Sequence, residues 1–265
     1  MAINETVIHH ASDRIDWIDA SGNAAHRPLV QEPLQLQIES KPRDLKLVSA
    51  KGRTRLWRSQ PSDLHRVVDG EASEADKAYP TTASFDLSGS IIDPQRRFNP
   101  RQFSLSAGNA AGHQVELFRS PMGSRFASAG GLRGNVRFDA ATPASWALLS
   151  IEVTVLEVEG SPELTQKISF RAQADKHGDF VIAMDSLPMI ANDAPQQTYP
   201  AVLSATALMG AVGSDIADPD QFTAAELGDT QLAATFASTI DLTVSPGTVD
   251  SLTSKDMDHL VLRIP

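Results

Sequence analysis

The chain of 265 residues contains no cysteine at all. Disulfide staples, thiolate metal sites and cysteine nucleophiles are therefore excluded. A secreted β-protein of this size often carries a disulfide, so the absence points to folding in a reducing compartment. Long apolar runs are also missing. No window approaches the roughly 18 uninterrupted apolar residues that a membrane-crossing helix requires. The first ten residues have neither a basic region nor an apolar region, so no signal peptide is expected and synthesis is expected in the cytoplasm. Tyrosine occurs only twice and tryptophan three times, which leaves little material for an aromatic sugar-binding platform. The sequence has no Gly-x-Ser-x-Gly elbow, phosphate-binding loop, Gly-x-Gly-x-x-Gly fingerprint or His-Glu-x-x-His pair.

What is present is ordinary globular material, 41% hydrophobic and 21% charged. Its charge is uneven. Residues 1–135 hold 17 Lys and Arg against 15 Asp and Glu, whereas residues 136–265 hold 6 against 18. The acidic half repels nucleic acid and anionic lipid, so neither is expected as a partner. Residues 41–58 carry seven basic side chains: Lys41, Arg43, Lys46, Lys51, Arg53, Arg55 and Arg58. A phosphate-facing patch is one reading. Alternation through Arg53-Thr54-Arg55-Leu56-Trp57-Arg58 favours a solvated strand face. Opposite charge on the two halves would also favour head-to-tail packing between copies.

The hydrophobic pattern has period two along much of the chain. Strands are predicted at residues 34–38, 44–48 and 53–58, with Gly52 in the turn, and again within 83–94, 102–105 and 114–118. Further strands are predicted near 136–138, 146–158, 168–172, 179–182, 201–209, 232–244 and 259–263. Residues 168–172 are expected to pair with 179–182 across the turn Asp175-Lys176-His177-Gly178. Residues 59–80 and 215–228 read as loop or short helix. Residues 11–19 offer a helical turn with Ile15 and Ile18 on one side. The strand spacing, without intervening helices, predicts an all-β protein with two β-sandwich units in tandem. The expected division is an extended N-terminal arm over 1–33, a first β-rich unit over 34–125 and a second over 126–265.

Candidate chemistry is sparse. His9 and His10 are adjacent and point to opposite sides of a strand, which makes a poor metal pair. Asp13, Asp16 and Asp19, and likewise Asp218 and Asp220, are conceivable calcium ligands, but neither set has the spacing of a calcium loop. Asp175 and Asp179 flank His177 and would suit acid–base work. Their position in a tight turn favours backbone hydrogen bonding instead. Trp146 opens an apolar strand and is expected in the core. Trp17 and Trp57, with Arg53, Arg55 and Arg58, are the candidate interface residues. No catalytic residue, cofactor or metal is assigned.

The run Gly134-Asn135-Val136, the alternating strand from Ala147 to Val155, and the turn Asp175-Lys176-His177-Gly178-Asp179-Phe180 resemble the carboxypeptidase regulatory-like (transthyretin-like) β-sandwich family. The turn has one extra residue relative to that family's pattern, and Ala174 stands where threonine is frequent. The resemblance covers about a fifth of the chain. It implies a sandwich that scaffolds or binds and carries no catalytic residues. As a whole, the chain also resembles accessory proteins of phage tails and contractile injection systems. That likeness implies a non-enzymatic structural subunit at a baseplate, cap or sheath, whose partners are other subunits and copies of itself. It also implies residence in a virion or tail-like particle. The alternative is a β-sandwich module that binds a glycan or a protein.

Overall fold

The computed structural model describes residues 13–43, 45–58, 84–108, 111–156, 165–190, 197–209 and 216–265. The all-β expectation holds: the described residues form eighteen strands and one short 3-10 turn at Pro219–Gln221. No helix among them is long and apolar enough to cross a membrane.

The first eight strands are β1 (Arg14–Asp19), β2 (Gly22–Asn23), β3 (Gln35–Ser40), β4 (Leu45–Ala50), β5 (Arg53–Arg58), β6 (Phe85–Ile92), β7 (Arg101–Ala107) and β8 (Gly112–Leu117). Four make a sheet in the order β4-β5-β1-β8, and three make another in the order β3-β6-β7. Both sheets contribute to one hydrophobic cluster, which includes Ile15, Trp17, Leu56, Leu87, Phe103 and Val115. Within the segment expected as an extended arm, residues 14–19 form an interior strand of the first sheet. They pair antiparallel with β5 and parallel with β8. The helical-turn expectation fails here as well. Ile15 and Trp17 share the inner face, while Ile18, an odd number of residues away from both, lies on the other.

The remaining strands are β9 (Gly130–Arg137), β10 (Leu148–Leu156), β11 (Gln166–Gln173), β12 (Asp179–Ala183), β13 (Tyr199–Ala207), β14 (Thr223–Gly228), β15 (Phe236–Ala237), β16 (Thr239–Val244), β17 (Thr248–Leu252) and β18 (Leu260–Arg263). With β2 they form one large sheet, whose main path runs β12-β9-β18-β14-β13-β10-β11-β2. Val136, Ile151, Phe170, Phe180, Leu203, Leu227 and Leu260 all meet in a second hydrophobic cluster, so the path curls around a common core.

Three expectations change here. β11 and β12 do not pair with each other: β11 joins β10, and β12 joins β9. The 215–228 segment contains a strand, β14, after its 3-10 turn. β17 follows the Ser245-Pro246-Gly247 turn and pairs parallel with β9, although its own sequence gave no strong signal. Gly130 makes that pairing possible. Its φ is +76°, and a Cβ there would fall 1.8 Å from the Thr248 carbonyl oxygen. That is far inside any tolerable contact, and the conformation itself suits glycine.

Candidate functional site

The two hydrophobic clusters meet at a polar seam. Arg101 on β7 is almost fully buried. Its guanidinium donates to the carbonyls of Gln102 and Glu116 and, through one Nη, to Asp218 at 2.9 Å and Asp220 at 2.5 Å. The two aspartates considered for calcium thus hold an internal cation. Asp218 also caps the 3-10 turn by accepting from the Asp220 N–H. Nearby, Asn99 Nδ2 donates to the carbonyls of Gln173 and Ala174, and Arg171 grips Glu116 with two hydrogen bonds of 3.0 and 3.1 Å. Burial lowers the pKa of Arg171 from its usual value. These contacts join β7 and β8 to β11 and to the loop before β14.

The acidic N-terminal triplet is likewise spent internally. Asp13 accepts the N–H groups of Gly108 and Ala111, Asp16 pairs with Arg14 and Arg53, and Asp19 pairs with Arg119. Among the described residues, no group of three or more His, Asp or Glu side chains converges to hold a metal ion. His9 and His10 lie outside the described residues.

Asp175 and Asp179 serve the turn between β11 and β12. Asp175 Oδ1 accepts the N–H groups of His177 and Asp179, and Asp179 Oδ1 accepts from Asn135 Nδ2 at 2.8 Å. Gly178 takes φ +84° within the turn, which lets its carbonyl receive the Val136 N–H. Trp146 is buried as expected. It lies outside both large clusters, in a small group with Ala217, Leu208 and Phe222.

The five proposed interface residues separate cleanly. Trp17 is 1% exposed in the first core, and its indole N–H donates to Thr54 Oγ1 at 2.9 Å, so it is not a surface contact. Arg53, Arg55 and Trp57 lie on the outer face of β5, opposite the inward Thr54 and Leu56. Trp57 is 41% exposed. Arg58 ends the same strand, and its side chain lies outside the described residues. Register adds two residues that were not among the interface candidates: Lys46 stands opposite Trp57, and Val48, 59% exposed, stands opposite Arg55. Among the described residues β4 pairs with β5 alone, so this basic and apolar face ends at an open strand edge.

A second feature is a cleft of about 320 Å³ between the two clusters. Its walls include Asp19, Ser21, His26, Arg119, Arg125 and Asp185, with Val181 and Ala183 from β12. Arg119 Nε is held by Asp19 at 2.8 Å, and Asn23 donates to Ser186 Oγ at 2.7 Å. Sequence reasoning did not find this cleft, because its residues come from three distant segments with no shared motif. No protein-family model, no curated protein and no solved structure matches this chain, so its fold and these two surfaces carry the functional reading.

Proposed function

We propose that the chain is a non-enzymatic structural subunit of a phage tail or phage tail-like contractile injection assembly, associated with its baseplate, cap or sheath and acting through protein–protein contacts. The observation that carries this reading is the outer face of β4 and β5. Lys46, Arg55 and Arg53 surround the exposed Trp57 and Val48 beside β4, which among the described residues pairs with β5 alone. An edge strand offers unpaired N–H and carbonyl groups to a neighbouring chain, and a half-exposed tryptophan among arginines is a composition favoured at contact centres. The aspartates that could suggest hydrolysis or calcium binding are engaged in turns and internal ion pairs, which further favours a mechanical role.

The test is retention in particles. Tail-like particles are purified from cells producing a tagged chain, and the chain is quantified by mass spectrometry against the major tube component. A fixed stoichiometry through a density gradient is expected; release of the chain as free protein overturns the assignment.

A second reading rests on the cleft. Its mixture of arginine, aspartate, serine and histidine suits a module that binds a glycan or a protein ligand. Under that reading, binding on a glycan or peptide array falls on Arg125→Ala substitution and is unaffected by changes at Trp57.

A further inference from the structure

The face on β4 and β5 has excess positive charge that nothing else in the described structure neutralises. Arg43, Lys46, Lys51 and Arg55 form no ion pair among the described residues; Arg53 alone on this face is paired, to Asp16. Val48 and Trp57 supply apolar area between these cations.

The chain also builds a surface of opposite sign. β12 runs antiparallel to β9 and places Asp179 opposite Asn135. β17 and β18 both run parallel to β9, with Leu252 opposite Gly134 and Leu260 opposite Val136, so Asp256 and Asp258 lie in the loop that leaves the sheet beside Asn135. Asp139 lies two residues after the end of β9. Asp229 joins them, because its carbonyl accepts the Lys255 N–H at 2.8 Å. These five aspartates, distant in sequence, thus flank the last residues of β9 and the turn after it. Arg137, Lys176 and Lys255 offset them only in part. Asp258 is 93% exposed and Asp256 69%.

We infer that these two surfaces bind each other between copies: the basic face of β4 and β5 in one molecule receives the acidic rim at the carboxyl end of β9 in the next. This rests on the assembly reading above and names a second copy of the chain as the partner. The contact uses different surfaces on the two molecules, so it is heterologous. Repetition closes a ring or propagates an open stack, according to the rotation between successive copies. Rim charges of this kind govern encounter and orientation and are screened by salt.

The test mixes copies of ordinary and heavy-nitrogen protein and couples amines to carboxylates with a zero-length carbodiimide. Mixed-isotope links from Lys46 or Lys51 to Asp139, Asp179, Asp229, Asp256 or Asp258 are the expected result. Sedimentation should show association that weakens at least about tenfold between about 0.05 M and about 0.5 M salt. The pair Lys46→Glu with Arg55→Glu should abolish it without changing the melting temperature. Asp256→Lys with Asp258→Lys, mixed with that variant, should restore it. Links within one copy from Lys46 or Lys51 to the acidic residues of 59–83 overturn the inference, as does association that the charge reversal leaves unchanged, or a monomer throughout. The assembly reading has its own separate test, retention in particles.

Discussion

Arg101 shows most clearly how single residues hold this protein together. Its guanidinium is buried beside a buried carboxylate, so removing it strands Asp218 without a counter-charge. An unpaired buried charge is far more costly than the net worth of the pair. Arg101→Ala should therefore lower the unfolding free energy by about 3 kcal/mol in a urea titration, whereas Asp220→Asn, on the exposed partner, should change it by less than about 1 kcal/mol. The surface aspartates behave differently. Asp139 accepts the N–H groups of Ala141 and Thr142, and Asp229 those of Gln231 and Leu232; these bonds hold both carboxyls below the usual carboxylate value. A depressed folded value stabilises the fold above the unfolded pKa and loses that contribution as pH falls through the folded one. NMR titration should find both carboxyls ionising below free aspartate, and Asp139→Asn should flatten the acid limb of the stability curve. These roles were only partly legible in the sequence. The turn roles of Asp175 and Asp179 were readable from local spacing; those of Asp139 and Asp229 were not read. The core role of Trp17 was not, because its partner Thr54 lies 37 residues away.

At the scale of elements, alternation was a reliable guide where one strand face meets water. The exposed–buried rhythm of Arg53 to Trp57, and the exposed–half-buried rhythm of Gln35 to Ile38 in β3, reproduce the sequence pattern. It failed for β1, where Asp16 and Asp19 are buried beneath half-exposed arginines and every residue from Ile15 to Asp19 is buried. It also failed for pairing. The turn after β11 has hairpin chemistry, yet it delivers β12 to β9 rather than back onto β11. Local turn residues fix the bend, while burial of Phe170 and Phe180 in a common core decides the partners. Gly130 is the element-scale position most sensitive to change. Gly130→Ala drives a Cβ into the Thr248 carbonyl and forces a left-handed backbone on a residue that resists it. We expect a loss of at least about 2 kcal/mol by chemical denaturation, with hydrogen exchange accelerating first at β17.

For the whole molecule, the seam decides whether the two cores unfold together. Asn99, Arg101 and Arg171 join them with hydrogen bonds and ion pairs, and Arg171 also stacks on the buried Phe118. Cooperativity between the cores should then depend on these polar contacts. Combining Asn99→Ala with Arg171→Met should split a single calorimetric transition into two, with fluorescence of Trp17 following the first core. A single transition in the double variant would show that other contacts suffice. The same seam fixes where the basic face and the acidic rim lie, and so sets the geometry of any assembly built from them.

The sequence by itself determined that this is a cysteine-free all-β chain with charge segregated between its halves, because composition and period-two alternation are local properties that survive any choice of strand partners. It also marked Arg53, Arg55 and Trp57 as one strand face, since successive side chains of a strand must point to opposite sides. Only the tertiary structure decided that residues 14–19 are an interior strand, that Trp17 is core, that Asp218 and Asp220 hold Arg101, and that five separated aspartates share one rim. Each of these depends on which strands lie side by side. That is settled by burying apolar faces drawn from the whole chain, and no local spacing records it.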